Sequence, residues 1–322
     1  MNIEFKKFSI KMNAELVGLF REVFCKNIKK KYFKWRFLEN PIKKNLTIAA
    51  LKNNKIIGFS ALTPVNTFLN KKPIILAFSG TSMIHPEMQR KGLYTVMAEE
   101  LYNNAYNQGV DCIVGYPNTN SHYGRKTKLN WKDIYEIPTF SLFLDNYSKN
   151  TIKNDRAAEI DFNASVSKNI DKFVDININR YPIYFKRNFQ FYKWRFINHP
   201  FNKYFFIEAK KNNKTAGLIT FKYYKNGLSS EVDILDLLYD YKSDMFMNWI
   251  NQVILYFKRR NVKRINIWMN TNTLLHDKLE CFGFENSCPI TYLSYHSRKN
   301  KVEESISNYK NWNISMCDSD IF

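Results

Sequence analysis

The chain has 322 residues, with 49 Lys and Arg against 29 Asp and Glu for a formal net charge of +20, and it is 45% apolar and 16% aromatic. This length sets a prior of about two domains, and the hydrophobic content excludes a disordered basic tail. Lys and Asn are spread along the whole chain, so the charge reads as a compositional bias, whereas a nucleic-acid footprint requires a clustered basic face.

In chain order, Ala14 to Phe24 and Tyr32 to Leu38 read as helices, then Thr47 to Leu51 and Ile56 to Leu62 as strands joined by the turn Lys52-Asn53-Asn54-Lys55. Asn suits that turn because it tolerates positive φ. A long strand over Ile74 to Ile84 follows, then a helix from about Lys91 whose apolar residues Leu93, Val96, Met97, Leu101 and Ala105 keep the 3.6 period up to Gly109, then a buried strand from Cys112 to Tyr116. The second half repeats this order with strands at Phe205 to Ala209, Ala216 to Tyr224 and Val232 to Leu238, a helix through Trp249 to Phe257, and a strand at Arg264 to Met269.

The repeat is also literal. Lys34-Trp35-Arg36-Phe37 with Pro41 recurs as Lys193-Trp194-Arg195-Phe196 with Pro200, and Lys52-Asn53-Asn54-Lys55 with Gly58 recurs as Lys211-Asn212-Asn213-Lys214 with Gly217, all at an offset of 159. Asn118-Thr119-Asn120 recurs as Asn270-Thr271-Asn272 at an offset of 152. Each half is therefore expected to be an α/β unit with a mixed sheet: a first domain over residues 1–145, a polar linker over 146–160 and a second domain over 161–322. Five cysteines, Cys25, Cys112, Cys281, Cys288 and Cys317, lack the paired short spacing of a zinc site, so no metal is expected and a reducing compartment fits. No signal-type N-terminus and no run of roughly 18 apolar residues is present, which makes the cytoplasm the expected location.

The informative stretch is Met83-Ile84-His85-Pro86-Glu87-Met88-Gln89-Arg90-Lys91-Gly92-Leu93-Tyr94, which passes from a strand through a loop into a helix. Unpaired N–H groups at the helix start, the helix dipole, a glycine that admits close approach, and the cations Arg90 and Lys91 make an anion site. The alternative reading is a plain helix start with a solvated basic turn. Gln89 and Gly92 resemble the acyl-CoA diphosphate loop of the GNAT acyltransferases, whose pattern is Gln or Arg, two residues, Gly, one residue, then Gly or Ala; Tyr94 departs at the last place. The order of elements is also similar to a GNAT domain, which implies two tandem GNAT-like domains.

That resemblance implies an N-acetyltransferase using acetyl-CoA as co-substrate and a small-molecule primary amine as acceptor, with an amino sugar or nucleotide sugar of surface polysaccharide first in line. It implies that Ser82, Met83 and Ile84 hold the pantetheine arm, and that the N–H groups of Gln89, Arg90, Lys91, Gly92, Leu93 and Tyr94 hold the diphosphate. Arg90, Lys91 and Arg125 would balance its charge. For the chemistry the candidates are Asn118, Asn120, Ser121, His122 and Tyr123 after the strand end; the resemblance points to Asn118 and Ser121 at the start of the last helix and to Tyr123 as the acid, because Lys126 stands where the family's tyrosine is expected. His85 is the candidate base and Glu87 a weaker one, against an outward-facing structural role for a histidine before proline. Trp35 reads either as a stacking surface for the acceptor or as a packing residue, since its counterpart Trp194 occurs in the copy without the loop. There the sequence is Tyr239-Asp240-Tyr241-Lys242-Ser243-Asp244-Met245, with no glycine and two carboxylates that would repel a diphosphate and cap the helix themselves. Two other readings stand beside this one: a Fem-type aminoacyl transferase using charged tRNA, which +20 would favour, and a non-catalytic binding protein of the same fold.

Overall fold

The structure is a computed structural model that describes residues 3–145, 147, 159–178, 180–226, 229–271, 273–298 and 300–319. In chain order the elements are β1 Glu4–Lys6, α1 Asn13–Phe24, α2 Lys31–Phe37, β2 Leu46–Lys52, β3 Lys55–Leu69, β4 Lys72–Ile84, α3 Leu93–Asn107, β5 Cys112–Gly115, α4 Thr119–Lys128, β6 Lys132–Phe143, β7 Glu159–Asp161, α5 Ile170–Ile178, β8 Ile183–Phe185, α6 Phe189–Tyr192, β9 Phe205–Lys211, β10 Lys214–Asn226, β11 Ser229–Tyr239, α7 Phe246–Lys258, β12 Val262–Ile267, α8 Leu274–Glu280, β13 Glu285–His296 and α9 Asn300–Ser307. The fold class is α/β with mixed parallel and antiparallel pairing. The linker expected over 146–160 lies outside the described residues apart from Tyr147, Glu159 and Ile160, and Glu159 already opens β7.

Two compact units form. Unit 1 comprises residues 1–135, 193–202 and 292–308, and unit 2 comprises 136–192, 203–291 and 309–322. Strand pairing, more than position along the chain, draws these borders. Ser294, Tyr295 and His296 of β13 pair antiparallel with Gly115, Val114 and Ile113 of β5, which makes the end of β13 a strand of unit 1.

In unit 1 the strands run β1-β2-β3-β4-β5 before that end of β13. Asn53 and Asn54 take φ of 50° and 61° in the two-residue turn that pairs Lys52 with Lys55, as the turn chemistry requires. β3 continues past Pro64 to Leu69, beyond the strand expected from sequence; its pairing with β2 ends at Leu62, so toward β2 the proline needs no N–H. α3 covers one face with Leu93, Met97, Leu101, Tyr102 and Ala105 turned into a core shared with Ile48, Leu62, Ala77 and Ile113. Val96, expected on that face, is 51% exposed.

The two Trp-Arg-Phe motifs meet in unit 1. Trp35 on α2 and Trp194, in a π-helical turn over Lys193–Ile197, stack with ring centroids 5.3 Å apart. Each indole N–H donates to the other residue's main-chain oxygen, at 2.7 and 3.0 Å. Residues at one repeat spacing thus satisfy each other.

In unit 2 the strands run β6-β12-β11-β10-β9-β7, and α7 packs Trp249, Ile250, Val253 and Phe257 against them. The chain's last described stretch is core: Trp312, Ile314, Met316 and Cys317 are buried in this unit, and Asn313 N–H donates to Ile183 O. Arg187 is wholly buried between Asp236 and Asp318, 3.3 and 3.1 Å away, and Tyr192 donates its hydroxyl to Asp236 at 2.9 Å.

Candidate functional site

The end of β4 and the start of α3 form one feature of unit 1. The parallel register of β4 with β5 runs from Leu76↔Cys112 to Ser79↔Gly115 and stops there, while β4 continues to Ile84 beside β3. Thr81 at φ 56° and a register shift opposite Phe59 and Ala61 mark a bulge where β4 leaves β5, and a bulge bends its strand. Along residues 80–84 the β5-side main chain therefore faces a gap with no strand paired to it among the described residues. Met83 is buried, Ser82 hydroxyl lies 2.9 Å from Ser60 hydroxyl and Ile84 is half-buried, which leaves main chain to line the opening.

Past Ile84 the chain turns through Pro86–Met88, with Met88 buried as its anchor. The Gln89 side-chain amide donates to Ile84 O at 3.1 Å and ties the loop to the strand end. Arg90 and Gly92 take left-handed φ of 60° and 80°. Gly92 is the N-cap of α3 and no side chain caps the helix; the first main-chain bonds are Thr95 and Val96 donating to Gly92 O at 3.1 and 3.3 Å. The N–H groups of Leu93 and Tyr94 are thus left pointing out of the first turn. A Cβ at Gly92 would meet nothing within 4 Å, so its φ and not crowding calls for glycine. Tyr94 packs against the α3 core, which answers its departure from the family pattern: the ring is turned from the loop. Exposed Arg90 and Lys91 flank this opening. Unspent donors, two cations and free access fit a diphosphate.

The matching place in unit 2 differs. Asp240 accepts from Lys242 N–H at 3.0 Å and Asp244 pairs with Lys211 at 3.0 Å. Neither caps α7, which starts at Phe246 with no acidic residue in its first turn, so the capping expected of these carboxylates gives way to a turn bond and an ion pair. A cavity of about 750 Å³ in this unit is lined by Asp161, Glu208, Asp240, Lys172, Lys210 and Lys214 among others, a mixture of both charges. On α8, His276, Asp277 and Glu280 bring ligand-type atoms within 4.8 Å of one another, a spacing the cysteine count gave no hint of.

The sequence-derived catalytic residues fall in different settings. His85 has both ring nitrogens engaged: Nδ1 accepts from Glu87 N–H at 3.4 Å and Nε2 lies 3.2 Å from Glu22. This geometry is that of a turn cap and leaves no lone pair for a substrate proton. Asn118 Oδ1 accepts from Ser121 N–H at 2.9 Å and Ser121 Oγ donates to Asn118 O at 3.2 Å, so the two cap α4. Tyr123 is 73% exposed, away from any apolar enclosure. Trp35, 5% exposed with its N–H spent on Trp194, is a packing residue and offers no face to an acceptor. Arg125 is also buried and adds nothing to the exposed charge of the loop.

His122 is one of the candidates after the strand end, but its partners are not legible in the sequence. His122 Nε2 lies 2.7 Å from Asp133 Oδ1, Lys126 donates to Asp133 Oδ2 at 2.7 Å, and the His122 ring stacks on Tyr292 with centroids 4.1 Å apart. Partial burial raises Asp133, but hydrogen bonds from Lys126 and His122 outweigh it and hold the carboxyl below its usual range. Nothing in the spacing of His122, Asp133 and Tyr292 signals this; strand β13 delivers the tyrosine from far along the chain.

Residues 5–128 match the family model described as an acetyltransferase (GNAT) domain. Among solved structures, a GCN5-related N-acetyltransferase from Anabaena variabilis has 15% identity and a TM-score of 0.70, covering 92% of this chain and 73% of that one. A protein of unknown function from Enterococcus faecalis, described as a probable N-acyltransferase, has 11% identity and a TM-score of 0.73 over 95% and 75%. N-myristoyltransferase of Saccharomyces cerevisiae with bound myristoyl-CoA has 12% identity and a TM-score of 0.63 over 98% and 83%. At such identities the likeness is one of fold. No curated protein matches the sequence. Among the described residues no helix is long and apolar enough to cross a membrane. Residues 5–128 are therefore similar to an acetyltransferase (GNAT) domain, and the chain shares its fold with these solved structures.

Proposed function

We propose that the protein is an acyl-CoA-dependent N-acyltransferase, moving an acetyl group from acetyl-CoA to the primary amine of a small molecule by direct attack, with amino sugars and nucleotide sugars as the first acceptors to test. The observation that carries this reading is the start of α3 beside the open edge of β4, where a left-handed Gly92 follows exposed Arg90 and Lys91, while the loop before α7 has no glycine and holds Asp240 and Asp244. Main-chain N–H groups of Leu93 and Tyr94 hold the diphosphate, with Arg90 and Lys91 beside them, and the free edge at Ser82–Ile84 orients the pantetheine amides. An N–H on that edge meets the oxygen that gains charge when the amine attacks the thioester.

The amine must first lose a proton, since an alkyl ammonium has a pKa of about 10.4. His122 suits this better than His85, because a tautomer with Nε2–H donated to Asp133 leaves the lone pair on Nδ1. The leaving thiolate, with a pKa near 8.5 by analogy with Cys, departs without an acid, so an exposed Tyr123 is no obstacle. Calorimetric titration of the full-length protein with CoA tests the reading. Wild type binds, and Gly92→Glu, which places a carboxylate beside the donors in a strained backbone, loses at least about tenfold in affinity. A wild type without CoA affinity, or a Glu variant that binds equally well, rejects it.

A further inference from the structure

Behind the gap, unit 1 buries a cation with no acid to meet it. Arg125 on α4 is 6% exposed, its guanidinium carbon lies 4.8 Å from the Trp131 ring centroid, and Nη1 sits 2.7 Å from where a Cβ on Gly115 would stand. Nε and Nη1 are buried without a hydrogen-bond partner, and no carboxylate among the described residues forms an ion pair with this side chain. A charge taken from water in this way is strongly penalised unless something pairs it.

Among the described residues, its surroundings carry no charge of opposite sign. Gly115 is the last β5 residue paired with β4, through Ser79, and on its other side it pairs with Ser294 of β13. Side chains of directly paired residues share a face, so Ser79 and Ser294 lie on the face where the guanidinium rests. Ser294 is 1% exposed and its hydroxyl has no partner. The Trp131 indole N–H is buried beside the Tyr102 hydroxyl without a well-formed hydrogen bond. A guanidinium, an indole N–H and a hydroxyl thus lie near the point where β4 and β5 part; the Tyr102 hydroxyl stands beside the indole N–H, while Arg125 Nε and Nη1 and the Ser294 hydroxyl have no hydrogen-bond partner. One guanidinium balances one negative charge, which suits a carboxylate better than a phosphate dianion.

We propose that Arg125, with Trp131 and Ser294, is a carboxylate-binding subsite at the closed end of the β4–β5 gap, so that one of the two substrates bears a carboxylate. This rests on the acyltransferase reading. The carboxylate comes either from the acyl chain of a dicarboxylic acyl-CoA or from an amino-acid acceptor, and matched pairs separate the two. For the donor, affinities of the full-length protein for succinyl-CoA and acetyl-CoA are compared by calorimetry. For the acceptor, thiol release from acetyl-CoA is followed with L-ornithine against putrescine, L-histidine against histamine and L-tyrosine against tyramine.

In one arm the carboxylate-bearing member is preferred by at least about tenfold, the scale of a charge-assisted hydrogen bond. That ratio falls toward one in Arg125→Met and is partly restored in Arg125→Lys. Circular dichroism checks each fold, and Arg125→Gln replaces the Met variant should that one not fold. If CoA binds but wild type shows no preference in either arm, or the preference survives in the Met variant, the subsite is overturned. If CoA itself does not bind, the acyltransferase reading falls and this inference with it.

Discussion

Asp318 illustrates how much a single buried group can report. Its carboxyl is pushed up to about 7 by burial, with Arg187 opposing, and burial moves Asp236 in the same direction. One arginine cannot keep two buried carboxylates ionised, so the folded state retains a proton that the unfolded chain, with Asp near 3.9, releases. Between about pH 4 and pH 7 the native state binds more protons than the unfolded one, so this group's contribution to stability declines as pH rises through that window. The groups that face it are Arg187, Asp236, Ser315 and Cys317. Asp318→Asn should therefore show a smaller drop in Tm between about pH 5 and about pH 8 than wild type. An unchanged drop would place the pH dependence elsewhere. At this scale the sequence was least informative: that Arg125 is an orphan and that His122 has an aspartate depends on which distant side chains are near, and no local spacing encodes it. Gly92 was legible because a positive φ leaves its mark in residue type.

Among elements, turns and helices were the most legible, since their chemistry is local. Asn212 and Asn213, at φ of 52° and 58°, close the β9–β10 hairpin just as Asn53 and Asn54 close β2–β3. The repeated glycines have a packing reason that only the structure reveals. A Cβ on Gly58 would stand 2.8 Å from Met97 Sδ, and one on Gly217 would stand 2.4 Å from Trp249 Cζ3, so in each unit the strand lets the helix across it come close. Met97 presents the end of a flexible chain, whereas Trp249 is a buried rigid ring. Gly217→Ala should cost about 1–3 kcal/mol and Gly58→Ala less, as read from urea unfolding; the reverse order would contradict this packing account. Segments 193–202 and 292–308 joining unit 1 were not legible, because pairing between distant strands leaves no periodicity behind. The same holds for the Trp35–Trp194 stack: the sequence announced two copies of a motif, not that they touch.

For the whole molecule the duplication is unequal. Both units keep hairpin, glycine and covering helix, and neither helix has a side-chain cap, yet only α3 begins with a left-handed glycine beside two exposed cations, while α7 begins behind a loop whose carboxylates are engaged by Lys242 and Lys211. The net charge of +20 does not choose between units or partners; the helix starts do. The account therefore stands on one occupied site per chain. A crystal structure of the full-length protein with acetyl-CoA tests it most directly. Diphosphate oxygens within about 3 Å of the N–H groups of Leu93 and Tyr94, with the pantetheine arm along Ser82–Ile84, are the predicted result. Acetyl-CoA bound at the start of α7, or a closed gap beside β4 with the nucleotide elsewhere, would contradict it.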